Sequence, residues 1–251
     1  YHNKTIYSSN FFTKKQRKIE TDFFPESKQK RSILQSLGNV MRQRVEEIPF
    51  LNIIEFVYDS VRTKNLVFFA SHNKLQKLVM MLGVGGSQIA TYDNWIMPVD
   101  ANVGVNKMDA LVRKTMDLRL LENDKNLTHT FKSTYTNTIT ADATEKESYK
   151  NYFQLYVPKG AVLKLALVNN LAVKARVIVA EENKNTVFGL YFETPPASSS
   201  TVSITYSLPN NIKMDKIHFQ KQIGSKPSPL TVIHRGGTTK IEQRLIESDE
   251  V

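Results

Sequence analysis

Val202, Ile204, Tyr206 and Leu208 alternate with Thr201, Ser203, Thr205 and Ser207. A strict period of two over eight residues belongs to a strand with one face buried and one solvated, and to no helix. The same period sets in from Ala110 onward. Val112, Lys114, Met116, Leu118 and Leu120 share one face. After an Asn123-Asp124-Lys125 turn, Leu127, His129, Phe131, Ser133, Tyr135 and Asn137 alternate against a threonine-rich face. Turn chemistry then recurs at Pro158-Lys159-Gly160, Asn169-Asn170, Glu182-Asn183-Lys184, Pro195-Pro196 and Pro209-Asn210-Asn211. Roughly nine short strands punctuated in this way predict an antiparallel, immunoglobulin-like β-sandwich.

The first hundred residues carry a different period. Ile33, Leu34, Leu37, Val40, Met41, Val45 and Ile48 recur at helical spacing until Pro49 interrupts them. A second helix over residues 50–62 turns Ile53, Ile54, Val57, Tyr58 and Val61 inward. LVFFA at residues 66–70 is short, continuously apolar and rich in strand formers, which predicts a strand buried on both faces. Ser71 is placed to cap a helix bearing Leu75, Leu78, Val79 and Leu82, which Gly83, Gly85 and Gly86 end. With an extended stretch at residues 95–99, this reads as a β-α-β unit. Pro98 puts the last strand at an edge or near its end. The class expected is therefore α+β. Residues 1–108 form a helical portion with a β-α-β unit, 109–235 a sandwich, and 236–251 a flexible tail.

Composition narrows the function classes. At 251 residues and 41% hydrophobic content the chain is large enough for a sizeable core. No apolar run approaches the roughly 20 residues needed to span a bilayer. No signal peptide is evident, and a start at Tyr1 suggests an excised or processed fragment that leaves any export signal or membrane anchor behind. With no cysteine, disulfides, thiolate metal sites and a cysteine nucleophile are excluded. The formal charge of +10 favours polyanionic partners. Much of it lies in KKQRK (14–18) and KQKR (28–31), runs that read first as solvated faces. They lack the aromatic interleaving of a single-strand platform, so nucleic acid is not the expected partner.

The densest polar constellation is Asp100, Asn102, Asn106, Lys107 and Asp109. Carboxylate and amide oxygens suit a hard cation and Lys107 an anion, which makes these the candidate ligand-binding residues. The same residues also suit a turn in which Asp and Asn bond their own backbone, and that reading weighs more. The five histidines show no ligand pair. Gly83-Val84-Gly85-Gly86 follows its helix rather than preceding one, so it is no phosphate loop. No GxSxG elbow and no spaced carboxylate pair is present. Neither catalytic residue, metal nor cofactor is expected. Tyr149, Tyr152, Phe153, Tyr156, Phe188, Tyr191 and Phe192 read mainly as core, with Tyr152 on the opposite face from Phe153 and available for sugar stacking.

Five segments in order carry a resemblance: LVFFASHNKLQKLVMMLGVGG (66–86), DNWIMPVDANVGVNKMDALV (93–112), YKNYFQLYVPKGA (149–161), VFGLYFETPP (187–196) and QKQIGSKPSPLTV (220–232). They resemble the C-terminal part of a bacterial envelope family catalogued only as domain of unknown function 4012. That resemblance implies an extracytoplasmic protein held to the membrane by an N-terminal helix, following a region similar to the LytR–CpsA–Psr glycopolymer ligases. The expected role is a non-catalytic module at the bacterial cell surface that binds or presents to cell-wall polymer or another envelope protein. The membrane is then a partner only through the absent anchor, and the oligomeric state is left open. The alternative is the C-terminal part of a polyprenyl-pyrophosphate glycopolymer transferase whose catalytic region lies upstream, with Asp100 to Asp109 along its groove. LVFFA as an interior strand of a truncated sheet would favour the transferase. A closed helical bundle would favour the independent module.

Overall fold

A computed structural model describes residues 29–45, 47–86, 94–123, 126–139, 147–212, 217–236, 238–246 and 248–249. The basic run at 14–18 lies outside them. The chain is α+β and divides into two compact units, Tyr1–Tyr58 and Asp59–Val251. Among the described residues, helices α1 (Gln29–Val45), α2 (Phe50–Arg62) and α3 (Asn73–Met81) precede twelve strands. In order these are β1 (Trp95–Asn102), β2 (Val112–Asn123), β3 (Asn126–Asn137), β4 (Tyr149–Pro158), β5 (Val162–Val168), β6 (Leu171–Ala172), β7 (Ile178–Glu182), β8 (Asn185–Thr194), β9 (Ser199–Ser207), β10 (His218–Phe219), β11 (Ser228–Gly236) and β12 (Thr238–Ile246).

The strands make two sheets. One has the order β10-β1-β4-β8-β7, the other β12-β11-β2-β3-β9-β5-β6. They stack into a sandwich whose inner faces are the alternating apolar positions of the sequence. Leu118, Phe131, Ile204 and Tyr206 from one sheet and Phe153, Leu155, Phe188 and Leu190 from the other are buried in one cluster. Phe131 and Phe153 stack across the gap with centroids 6.1 Å apart, and Phe188 meets Tyr206 at 5.7 Å. Burying each such side chain contributes about 1.5–3 kcal/mol, so this interlayer holds the two sheets together. Among the described residues eight of the ten strand–strand ladders are antiparallel. Two departures occur: β1–β10 and β2–β11 run parallel.

The expected β-α-β unit does not form. Residues 66–70 lie outside any ladder, with a backbone bond from Phe68 N to Val84 O and with Phe69 84% exposed. The parallel place beside β1 is taken instead by β10, where Trp95 pairs with His218 and Ile96 with Phe219. A short apolar run specifies a strand only if a sheet edge is open to it, and here that edge is filled from 120 residues downstream. Nor do the described helices bury the faces that the sequence pattern predicts. Ile54, Val57 and Tyr58 of α2, expected inward, are exposed, and neither α2 nor α3 has a buried residue.

Helix ends follow local chemistry only in part. The N-cap of α3 is His72 rather than Ser71, with no side-chain cap bond. Gln76 Oε1 instead accepts from Ala70 N at 2.8 Å. Its C-terminus closes as expected. Gly83, at φ +71°, donates to Met80 O, and Val84 donates to Val79 O, the paired bonds of a Schellman end that a Cβ would disfavour.

Pro98 sits inside a five-stranded sheet without breaking it. β10 donates to Asn94 O and, through Gln220 N, to Ile96 O, and pairs no farther along β1. The nitrogen of Pro98 therefore faces the side where the neighbour has ended, which is the edge position a proline tolerates. One step on, the side chain of Gln222 replaces the missing strand. Its Oε1 accepts from Asp100 N and its Nε2 donates to Asp100 O, both at 2.9 Å. The expected flexible tail is also corrected. Residues 238–246 form β12, paired with β11 from Gly236↔Thr238 to Ser228↔Ile246, and Ile246 is buried.

The aromatic set divides by strand parity. Tyr149, Phe153, Phe188 and Phe192 join the interlayer core. Tyr156 packs with Trp95, Met97 and Val187 in a second cluster, on the opposite face of the sheet as their register requires. On that outer face Tyr152 leans diagonally over Gly189. A Cβ there would lie 2.5 Å from the tyrosine hydroxyl and 3.1 Å from Cζ. Gly189→Ala is therefore expected to lift the ring and to lower stability by about 1 kcal/mol in urea titration. An unchanged midpoint would show that the ring does not rest there.

Candidate functional site

At one end of the sandwich the inner faces stop being apolar. Alternation turns Asp100 and Asn102 of β1, Lys114 of β2, Tyr135 of β3 and Tyr149 of β4 toward the gap. Together with residues 109–113 and 222–229 they line a cleft of about 920 Å³. Its floor is a hydrogen-bonded network centred on Asp100. Lys114 Nζ donates to Oδ2 at 2.8 Å, while the Tyr135 hydroxyl and Asn151 Nδ2 donate to Oδ1 at 2.6 and 2.7 Å. The ion pair is largely withdrawn from water, with side-chain exposures of 14% and 13%. A carboxylate so placed is stable only when it is paired and hydrogen-bonded, and this one has a cation and two neutral donors.

The segment after β1 is organised by asparagines. Asn102 Nδ2 donates to Asn106 O, Asn106 Oδ1 and Asp109 Oδ2 at 3.0, 2.9 and 3.1 Å, and its Oδ1 accepts from Gly104 N at 3.0 Å. A Cβ at residue 104 would lie 3.1 Å from both asparagine side chains, so glycine is the residue that lets the two amides close over the turn. Val105, at φ +54° and 95% exposed, is held in a conformation unfavourable for a β-branched residue. The turn chemistry expected here is present, and it presents Asp109 to the cleft.

The facing wall, residues 221–229, is fixed from behind. Lys221 N donates to Asp249 Oδ1 at 2.8 Å and Lys221 Nζ to Thr63 O at 3.0 Å. Lys64 pairs with Asp249, and Gly224 N donates to Lys64 O at 2.9 Å. Burial pulls the Lys221 ammonium below its ordinary pKa, with Asp249 opposing that shift and Lys114 and Lys64 adding to it. Across the cleft, Lys226 Nζ donates to Ala110 O at 2.8 Å.

Of the five sequence-predicted residues, Asp100, Asn102 and Asp109 line the cleft, Asn106 braces Asn102 from outside it, and Lys107 is exposed just before the 3-10 turn Met108–Ala110. Lys114, Tyr135, Gln222 and Lys226 are not among the candidate site residues of the sequence, and Tyr149 stands there only in the aromatic set read mainly as core. For Lys114 a signal existed: it is the one charge among Val112, Met116, Leu118 and Leu120 on an inward face. Burial, then the charges of Asp100 and Asp109, holds the Tyr149 phenol protonated far above its usual range, and Tyr135 is raised by burial and Asp100 in the same way. These phenols are donors, not bases. Among the described residues no three of His, Cys, Asp and Glu gather as metal ligands, and no helix is long and apolar enough to cross a membrane.

No protein-family model matches the chain, and no curated protein matches it. Among solved structures it is similar to native leukotriene A4 hydrolase from Saccharomyces cerevisiae, at 7% identity and a TM-score of 0.35 over 59% of this chain and 30% of that one. It is also similar to an M1 zinc metallopeptidase from Deinococcus radiodurans, at 12% identity and a TM-score of 0.24 over 53% of this chain and 38% of that one. The chain therefore spans well under half the length of these structures, and likenesses at such TM-scores carry no argument about it.

Proposed function

We propose that the chain is a non-catalytic, extracytoplasmic module of a membrane-anchored bacterial envelope protein of the domain-of-unknown-function 4012 type, and that it binds cell-wall polymer through the cleft at the Asp100 end of its sandwich. The observation that carries the binding part is the cleft itself. It is large enough for several sugar units, set on two rigid sheets, and floored by a network whose members already satisfy one another. Such a floor offers shape and hydrogen bonds without a general base. The Asp100 carboxylate is committed to three donors, and both phenols are held protonated. Neither feature expected to separate the module from the transferase is met, since residues 66–70 join no sheet and α2 and α3 bury no residue, so the preference for the module rests on the chemistry of the cleft.

The test is retention of the chain by purified peptidoglycan, teichoic-type polymer and polyprenyl-phosphate vesicles. Ala110→Trp serves as the cleft-filling control, because Ala110 is exposed on the rim. Retention by one polymer, weakened about tenfold or more by the tryptophan, is the expected result. If no polymer retains a folded sample, or if the tryptophan changes nothing, the cleft is not a polymer site and protein–protein assembly in the envelope becomes the better reading.

A further inference from the structure

The hydrogen-bond inventory of the cleft goes beyond its size. Of the neutral side-chain donors that line it, all but the Thr115 and Tyr149 hydroxyls have a hydrogen-bond partner among the described residues. Tyr135 donates to Asp100, Asn102 Nδ2 donates to Asp109, and Gln222 Nε2 donates to Asp100 O. The hydroxyls of Thr138, Ser225 and Ser228 donate to Leu111 O, Gln222 O and Lys226 O at 2.6, 2.8 and 3.2 Å. A hydroxyl whose hydrogen is engaged still has lone pairs, so these three oxygens face a ligand as acceptors.

The charged groups show the opposite balance. Arg113, Lys114 and Lys226 line the cleft against Asp100 and Asp109. Asp100 already accepts from three donors, Lys114 among them, and Asp109 accepts from Asn102. Lys226 spends one hydrogen on Ala110 O and keeps two. Arg113 is exposed and has no bond to a described residue. The donors left for a ligand are therefore chiefly cationic, and the acceptors are chiefly hydroxyl oxygens. A ligand complementary to this set carries a negative group and several hydroxyl donors.

We infer that the cleft takes a polyhydroxylated anion, a sugar or polyol chain bearing phosphate or carboxylate, with the anion at Arg113 and Lys226 and the ligand hydroxyls donating to Thr138, Ser225 and Ser228. This rests on the cleft being a binding site and adds the chemical class of what it binds. A neutral glycan leaves the two cations unused. A cationic polymer meets them with like charge.

The test is calorimetric titration of the full chain with a glycerol-phosphate oligomer, an oligogalacturonate and neutral maltotetraose. Arg113→Glu and Lys226→Glu, both at exposed positions, are compared with the unaltered chain, and circular dichroism confirms that each variant is folded. At least one anionic probe is expected to bind about tenfold or more tightly than maltotetraose. Its affinity is expected to fall about tenfold in each variant and to weaken between about 50 and about 300 mM salt. Whichever anionic probe binds tighter identifies phosphate or carboxylate as the recognised group. Equal binding of maltotetraose, or anion binding that survives both reversals, overturns the anion assignment. If Ala110→Trp abolishes that binding, the cleft itself still stands as the site. Binding untouched by Ala110→Trp, or absence of binding by every probe, overturns both.

Discussion

Asp100→Ala is expected to destabilise the protein by about 3–5 kcal/mol, the cost typical of removing one partner from a buried ion pair. Three donors lose their acceptor at once. Lys114 is left as an ammonium with only 14% of its side chain exposed. Tyr135 and Asn151 are left as donors at residues that are 1% and 0% exposed. No rearranged side chain can serve all three, because the backbone of Asp100 stays clamped by Gln222. The companion variant separates pair from packing. Asp100→Ala combined with Lys114→Met removes the orphaned charge and fills the same volume, so it is expected to recover about 1–3 kcal/mol of the loss. Urea titration of the unaltered chain, the single variants and the double variant reads the coupling directly. A loss under about 1 kcal/mol for Asp100→Ala, or no recovery in the double variant, would falsify the network as the structural floor of the cleft.

The sandwich was legible because its strands advertise themselves locally. In β9 the buried positions Val202, Ile204 and Tyr206 are those the period of two selects. What the sequence hid was pairing over distance. LVFFA has the composition of an interior strand, but composition does not say whether an edge is open. The edge beside β1 is filled by His218 and Phe219, a two-residue strand too short to leave any periodic signal. β12 was hidden for the opposite reason. TTKIEQRLI is polar on most positions, Ile241 and Leu245 are exposed, and the strand is recognisable only from its ladder with β11.

The site divides along the same line. Asp100, Asn102 and Asp109 stood out as a dense polar cluster at a junction, and the turn expected from them is the one their amides build. Lys114 broke an apolar face, which marks a charge that must be paired, though the alternation does not name its partner. Gln222 could not be read at all. Its amide completes a strand edge 122 residues away, and nothing in QKQIG distinguishes a glutamine that caps backbone from one in solvent. Local periodicity thus reveals which faces are buried. The identity of groups that meet inside them is a property of topology.

Acid is expected to destabilise the fold through His129, whose ring is wholly buried between β2 and β9 at the opposite end of the interlayer from Asp100. It lies opposite Leu120 and Tyr206, with the Tyr206 hydroxyl 3.4 Å from Nδ1 and the rings edge-on at 5.6 Å. Burial, followed by the charge of His234, lowers its pKa to about 4. An unfolded histidine takes up its proton near 6.5. Between those values the unfolded chain holds the extra proton, so stability is full above about pH 6.5 and falls as pH drops toward 4. A displacement of this size corresponds to roughly 3 kcal/mol at the acid limit. His218 is lowered in the same direction, by burial and Lys64 against Asp249, so its contribution has the same sign. Most carboxylates titrate below this window, which leaves the range from pH 6.5 to 5 to the histidines. His129→Phe keeps an aromatic of similar size in the core. Its absolute stability is expected to fall because Tyr206 loses a partner, but the slope of stability against pH between 6.5 and 5 is expected to flatten. Denaturation series at half-unit pH steps on both proteins provide the comparison. A slope unchanged by the substitution would mean that the acid response arises elsewhere and that His129 carries its proton in the folded core.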